Sequence, residues 1–143
     1  MAGIGEVCGN EIYHDKIPQD VDQANIATLE MFNILVALRI WAIMWQHQTV
    51  LFRCDNEAVV AVLNSGKTRD PDLAAISRNI FMHCATFDTP LKIIHISGKD
   101  NNIADLLSRW DQTINPREKL KSLLPNFRVM LVEKQHMFIN HNI

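Results

Sequence analysis

Residues 94–110 read IHISGKDNNIADLLSRW. An apolar run that begins at Leu91 stops at Ser97-Gly98-Lys99, and a helical pattern restarts after Asp100. The first half predicts a strand and the second a helix, joined by a Gly-Lys turn. The helix carries an apolar stripe of Ile103, Leu106, Leu107 and Trp110. At about 100° per residue, Asp105 falls nearly opposite that stripe. Such an acid has an ordinary account as a solvated charge, paired with Arg109 at i+4 for ~0.3–0.5 kcal/mol.

Outward from this stretch, TVLFRCD (49–55) alternates, with Val50, Phe52 and Cys54 facing one way and Leu51, Arg53 and Asp55 the other. EAVVAVLNSG then reads as a short helix stopped near Gly66. A further helix begins at Arg69-Asp70-Pro71, where Asp70 suits the cap, Pro71 the first turn and Asp72 the helix dipole. Its buried stripe is Leu73, Ile76, Ile80, Cys84 and Phe87. Upstream, IATLEMFNILVALRIWAIMW (26–45) is apolar on nearly every face. It approaches membrane-span length, but Glu30, Asn33 and Arg39 interrupt it, and it reads as a deeply buried helix with no membrane partner. GIGEVCGNEIYH (3–14) predicts a hairpin turning at Gly9-Asn10.

Strand, helices, strand and helix in this order imply a crossover and two parallel strands, with the hairpin antiparallel. The expected class is α/β: one mixed sheet with helices packed on it. After Asn115, REKLKSLL suggests a helical turn or two, FRVMLVEK a final strand and INHNI a frayed end.

With 143 residues, 48% apolar and 21% charged, the chain suits a globular domain with a substantial core. The net charge of −2 gives no general pull toward nucleic acid, but its distribution is uneven. Up to Gly66 there are three Lys/Arg against eight Asp/Glu; from Lys67 onward, eleven against eight. Cys8, Cys54 and Cys84 form no CxxC pair, an odd number makes no closed disulfide framework, and the expected setting is intracellular.

Three acids stand where an acid is not the obvious choice. Glu30 lies in the opening turns of the most apolar helix, where dipole compensation would explain it. Asp55 ends a strand and could cap the next helix. Asp55 also sits at the carboxyl end of a parallel strand, where open α/β sheets place their sites. Clustered carboxylates repel one another unless a cation neutralises them, and hard divalent ions such as Mg²⁺ prefer oxygen ligands.

TLEMFNILVALRIW, VLFRCDNEAVVAVLNSGKTRDPDL and IIHISGKDNNIADLLSRW, in this order, resemble the ribonuclease H domain of retroelement reverse transcriptase polyproteins. The nearest likeness is to gypsy-like and DIRS-like tyrosine-recombinase retrotransposons, and its most specific piece is the histidine-containing strand, Gly-Lys turn and A-D-x-L-S-R helix. The resemblance covers roughly residues 3–111; it implies a domain at 1–111 that lacks its first strand, with 112–143 a C-terminal extension of uncertain structure. It implies Mg²⁺ (or Mn²⁺), two ions in a complete site, and hydrolysis of RNA in RNA–DNA hybrids. It assigns Glu30, Asp55 and Asp105 to three of the family's four metal-binding, catalytic carboxylates. Lys67, Arg69, Lys99 and Arg109 are candidates for nucleic-acid backbone contacts. The remainder of a polyprotein would be a partner.

The family's first, central strand and its aspartate would precede the hairpin, and this chain opens at the hairpin. The reading is therefore of a domain lacking that strand, with impaired activity, or of a catalytically silent module serving as spacer or nucleic-acid-binding element. Residues 127–133 are a candidate substitute strand beside residues 50–55.

Overall fold

The computed structural model describes residues 3–9, 11–16 and 25–129, with side chains at 8–9, 11–12 and 25–127. Five strands and five α-helices lie among them: β1 (Gly3–Cys8), β2 (Glu11–Lys16), α1 (Ile26–Trp45), β3 (Val50–Cys54), α2 (Glu57–Ser65), α3 (Pro71–Thr86), β4 (Leu91–His95), α4 (Asn102–Ser108), α5 (Pro116–Leu123) and β5 (Arg128–Val129). The described residues divide into two compact units, one running from α1 to β4 and the other combining the hairpin with residues 98–129.

In the first unit, β3 and β4 pair in parallel, Val50 opposite Leu91 through Cys54 opposite His95. The helices obey local chemistry. Asn25 Oδ1 accepts the Thr28 amide at 2.9 Å and starts α1. Asp70 Oδ1 accepts the amides of Asp72 and Leu73, with Pro71 at the position that lacks a donor. Gly66 closes α2 at φ +71°, a left-handed value that a side chain resists. The core joins α1 (Met31, Ile34, Leu35, Leu38) to α2 (Val59, Val62, Leu63), α3 (Leu73, Ile80) and the strands (Cys54, Ile93). By length and composition α1 could cross a membrane, yet ten of its residues, from Thr28 to Ala42, are buried within the protein. The α3 stripe is buried at Leu73 and Ile80, with Ile76 and Cys84 packed half-buried against the same core, and Ser77 is buried among them with its hydroxyl donated to the Ala74 carbonyl.

In the second unit, β1 and β2 form the antiparallel hairpin, turning through Gly9 at φ +58°. Its core is Ile12, Leu107 and Leu120, with Ile103, Leu106, Trp110, Leu124 and Phe127 packed around them. The Arg117 guanidinium lies 5.2 Å from the Phe127 ring centroid.

The architecture is mixed α/β, as the sequence predicts, but the single mixed sheet is not formed among the described residues. The strands fall into two ladders, β1-β2-β5 and β3-β4. The physical reason is that no described strand hydrogen-bonds to both the hairpin and β3. Of the candidate substitute strand, the described residues Arg128 and Val129 pair in parallel with Glu11 and Ile12 of β2 and not with β3. The rest of that segment, with the end INHNI, lies outside the described residues.

Candidate metal centre

Glu30, Cys54 and Asp55 each bring one ligand atom to a common point, all within 4.8 Å of one another. Three elements converge to do this. Glu30 projects from α1, half-buried, one residue beyond the reach of the helix's first turn. Cys54 is the last residue of β3, 5% exposed and part of the core. Its carbonyl accepts the Ile96 amide at 3.0 Å, so the ladder with β4 runs to the strand's end. Asp55 follows at the carboxyl rim of two parallel strands, the end of a sheet where α/β proteins gather their chemistry.

The ordinary accounts of two of these acids fail on the geometry. α1 has no acid in its first turn, and the dipole effect falls off within that turn, so helix compensation does not explain Glu30. The cap of α2 belongs to Asn56, whose Oδ1 accepts the Val59 amide at 3.1 Å, and the Asp55 side chain makes no capping bond to it. Two carboxylates held this close repel one another, and a divalent cation removes that repulsion. The two carboxylates by themselves fit such an ion: hard oxygens near a solvent-reachable rim suit Mg²⁺ or Mn²⁺, which retain water in their remaining positions.

Alternation along 49–55 predicts Cys54 and Asp55 on opposite faces. They meet nonetheless, because the strand ends at Cys54 and Asp55 lies in the turn into the α2 cap. Sequence reasoning missed Cys54 as a member of the cluster, since it sought cysteine pairs. The available signal was its position next to Asp55 and on the face that Phe52 shares.

Asp105 lies on α4, in the other unit. Its Oδ1 accepts from Arg109 Nε at 3.1 Å, both side chains being more than half exposed. The i+4 pair read from the sequence is therefore made. Lys67 and Arg69 stand exposed in the turn between α2 and α3, Lys99 is exposed in the short 3-10 turn before α4, and Arg109 caps the end of α4.

A family model described as reverse transcriptase-like matches residues 19–111, a span that holds Glu30, Cys54, Asp55 and Asp105. No curated protein and no solved structure matches the chain.

Proposed function

We propose, from the premise that this chain belongs to the reverse transcriptase-like family, that Glu30 and Asp55 hold divalent cations for hydrolysis of the RNA strand in RNA–DNA hybrids. The domain is ribonuclease H-like, of the reverse-transcriptase type. The observation that carries the reading further is the convergence of the Glu30 and Asp55 carboxylates at the carboxyl rim of β3 and β4, where neither has a capping or dipole role.

When bound, the ions supply an activated water and charge compensation at the departing oxygen of a phosphodiester. The chain's own part is to hold two acids in place against their repulsion, Glu30 on a buried helix and Asp55 in a turn fixed by the Asn56 cap. Asp105 enters as a further metal carboxylate on the resemblance carried by Ala104-Asp105-Leu106-Leu107-Ser108-Arg109. Lys67, Arg69, Lys99 and Arg109 are assigned to phosphate contacts, which position a nucleic acid without reading its sequence. Choice of a hybrid rests on the 2′-hydroxyls and groove shape. The same likeness supports an origin in a gypsy-like or DIRS-like retroelement polyprotein, with the rest of that polyprotein as partner. The three widely spaced cysteines, with no CxxC pair among them, suit a reducing, intracellular setting.

A second reading, a catalytically silent module of the same fold, is favoured by one observation: Asp105 already has a cationic partner in Arg109. A labelled hybrid separates the two. The enzymatic reading expects Mg²⁺- or Mn²⁺-dependent cleavage that Glu30→Gln and Asp55→Asn each reduce by at least tenfold. Binding of the hybrid without cleavage under either ion supports the silent module, and cleavage unchanged by Asp55→Asn overturns the site.

A further inference from the structure

We propose that Cys54 is a third ligand of the Glu30–Asp55 centre and makes it selective for thiophilic divalent cations, of the Zn²⁺ and Co²⁺ kind, over Mg²⁺. This rests on the carboxylate centre argued above and concerns which ion it takes. The Cys54 sulfur lies within 4.8 Å of the ligand oxygens of both Glu30 and Asp55. Zinc–sulfur bonds of about 2.3 Å and zinc–oxygen bonds of about 2.0–2.2 Å, at tetrahedral angles, place two donors on one ion about 3.6 Å apart. Side-chain rotations that close these separations by up to about 1 Å bring the trio onto a single ion.

The chemistry of the donors then decides the metal. A purely carboxylate site favours Mg²⁺ or Mn²⁺, whereas a thiolate adds a soft ligand for which Mg²⁺ has little affinity. At 5% exposure Cys54 offers that sulfur on the protein side of the centre, leaving the rim side to water. Its thiol donates to the Asn56 carbonyl across a long 3.9 Å, a bond that metal binding gives up. Binding forms a metal–sulfur bond and releases the thiol proton to solvent. Three protein ligands plus water match the open four-coordinate pattern of zinc. Because the same two carboxylates would serve Mg²⁺, a thiophilic ion occupies the centre at the expense of Mg²⁺ and acts as its antagonist.

The test is a Co²⁺ titration of the full chain, read by thiolate-to-cobalt charge-transfer absorption in the near ultraviolet. The expected result is a band in the wild type and in Cys8→Ser and Cys84→Ser, abolished in both Cys54→Ser and Cys54→Ala. Thermal melts in Mn²⁺ run alongside: the Cys54 variants keep the rise in Tm that the wild type shows, which establishes that they fold and retain the carboxylate pair. No band in the wild type, or a band that survives in the Cys54 variants, overturns the proposal while leaving the carboxylate centre standing. Absence of any Mn²⁺-dependent rise in the wild type overturns the carboxylate centre itself, and this proposal with it.

Discussion

Asn56 takes the α2 cap that its neighbour Asp55 could have held: Asn56 Oδ1 accepts the Val59 amide at 3.1 Å, and the Asp55 carboxylate lies instead with Glu30. The two adjacent residues therefore divide structure and chemistry between them. Asn56→Ala should destabilise the protein by about 1 kcal/mol, the usual loss for a side-chain cap. Asp55→Asn should leave metal-free stability unchanged or raise it, because it relieves repulsion with Glu30. Urea denaturation in a chelator measures both, and equal destabilisation by the two substitutions would contradict the division.

Asp105 and Arg109 form an exposed i+4 pair, a class of interaction worth ~0.3–0.5 kcal/mol on a helix. Asp105→Asn should thus change stability by no more than about 0.5 kcal/mol. As a metal carboxylate, however, Asp105 should matter to hybrid cleavage by at least tenfold. Parallel denaturation and cleavage assays would show this split; loss of neither supports the surface-charge role alone.

Burial lowers the pKa of His83 from 6.5, the neighbouring Arg39 charge adds to the lowering, and the hydrogen bond from Nε2 to the Leu38 carbonyl at 3.0 Å opposes it. The unfolded chain then binds the proton more readily than the folded one. Stability should be complete above about pH 6.5 and fall as the pH drops from there toward the lower folded value. In His83→Gln this contribution is absent. Comparing denaturation midpoints of the two proteins at about pH 7.5 and about pH 5.5 isolates it, with the wild type losing more on acidification.

Lys67 and Arg69 flank the start of α3 and are exposed. If they touch backbone phosphates, the double substitution to alanine should weaken hybrid binding at low salt. It should also flatten the plot of log K against log salt by roughly two, about one per lost contact. An unchanged slope would remove them from the interface.

Much of the fold was legible because local signals agreed with packing. The Asp70-Pro71 start of α3, the Gly66 stop of α2 and the alternation of β3 are short-range features, and each appears where the sequence puts it. The joining of strands was less legible, since Arg128 and Val129 are strand-like without saying which neighbour they choose, and they choose β2. At the site, Glu30 and Asp55 were found through resemblance, because nothing in their spacing brings a helix residue to a strand end. Cys54 was missed because alternation places it opposite Asp55, and a strand's alternation ceases to hold one residue past its end. His95 ends β4 exposed, beside Ile94 at 44% exposure.

The central claim is that Glu30 and Asp55 share a divalent cation, and the most direct measurement is Mn²⁺ binding followed by the loss of the free-ion electron paramagnetic resonance signal. The account predicts saturable binding to the wild type that Glu30→Gln and Asp55→Asn each weaken by at least tenfold, while Asn56→Ala does not. Equal uptake of Mn²⁺ by the wild type and both carboxylate variants would contradict it.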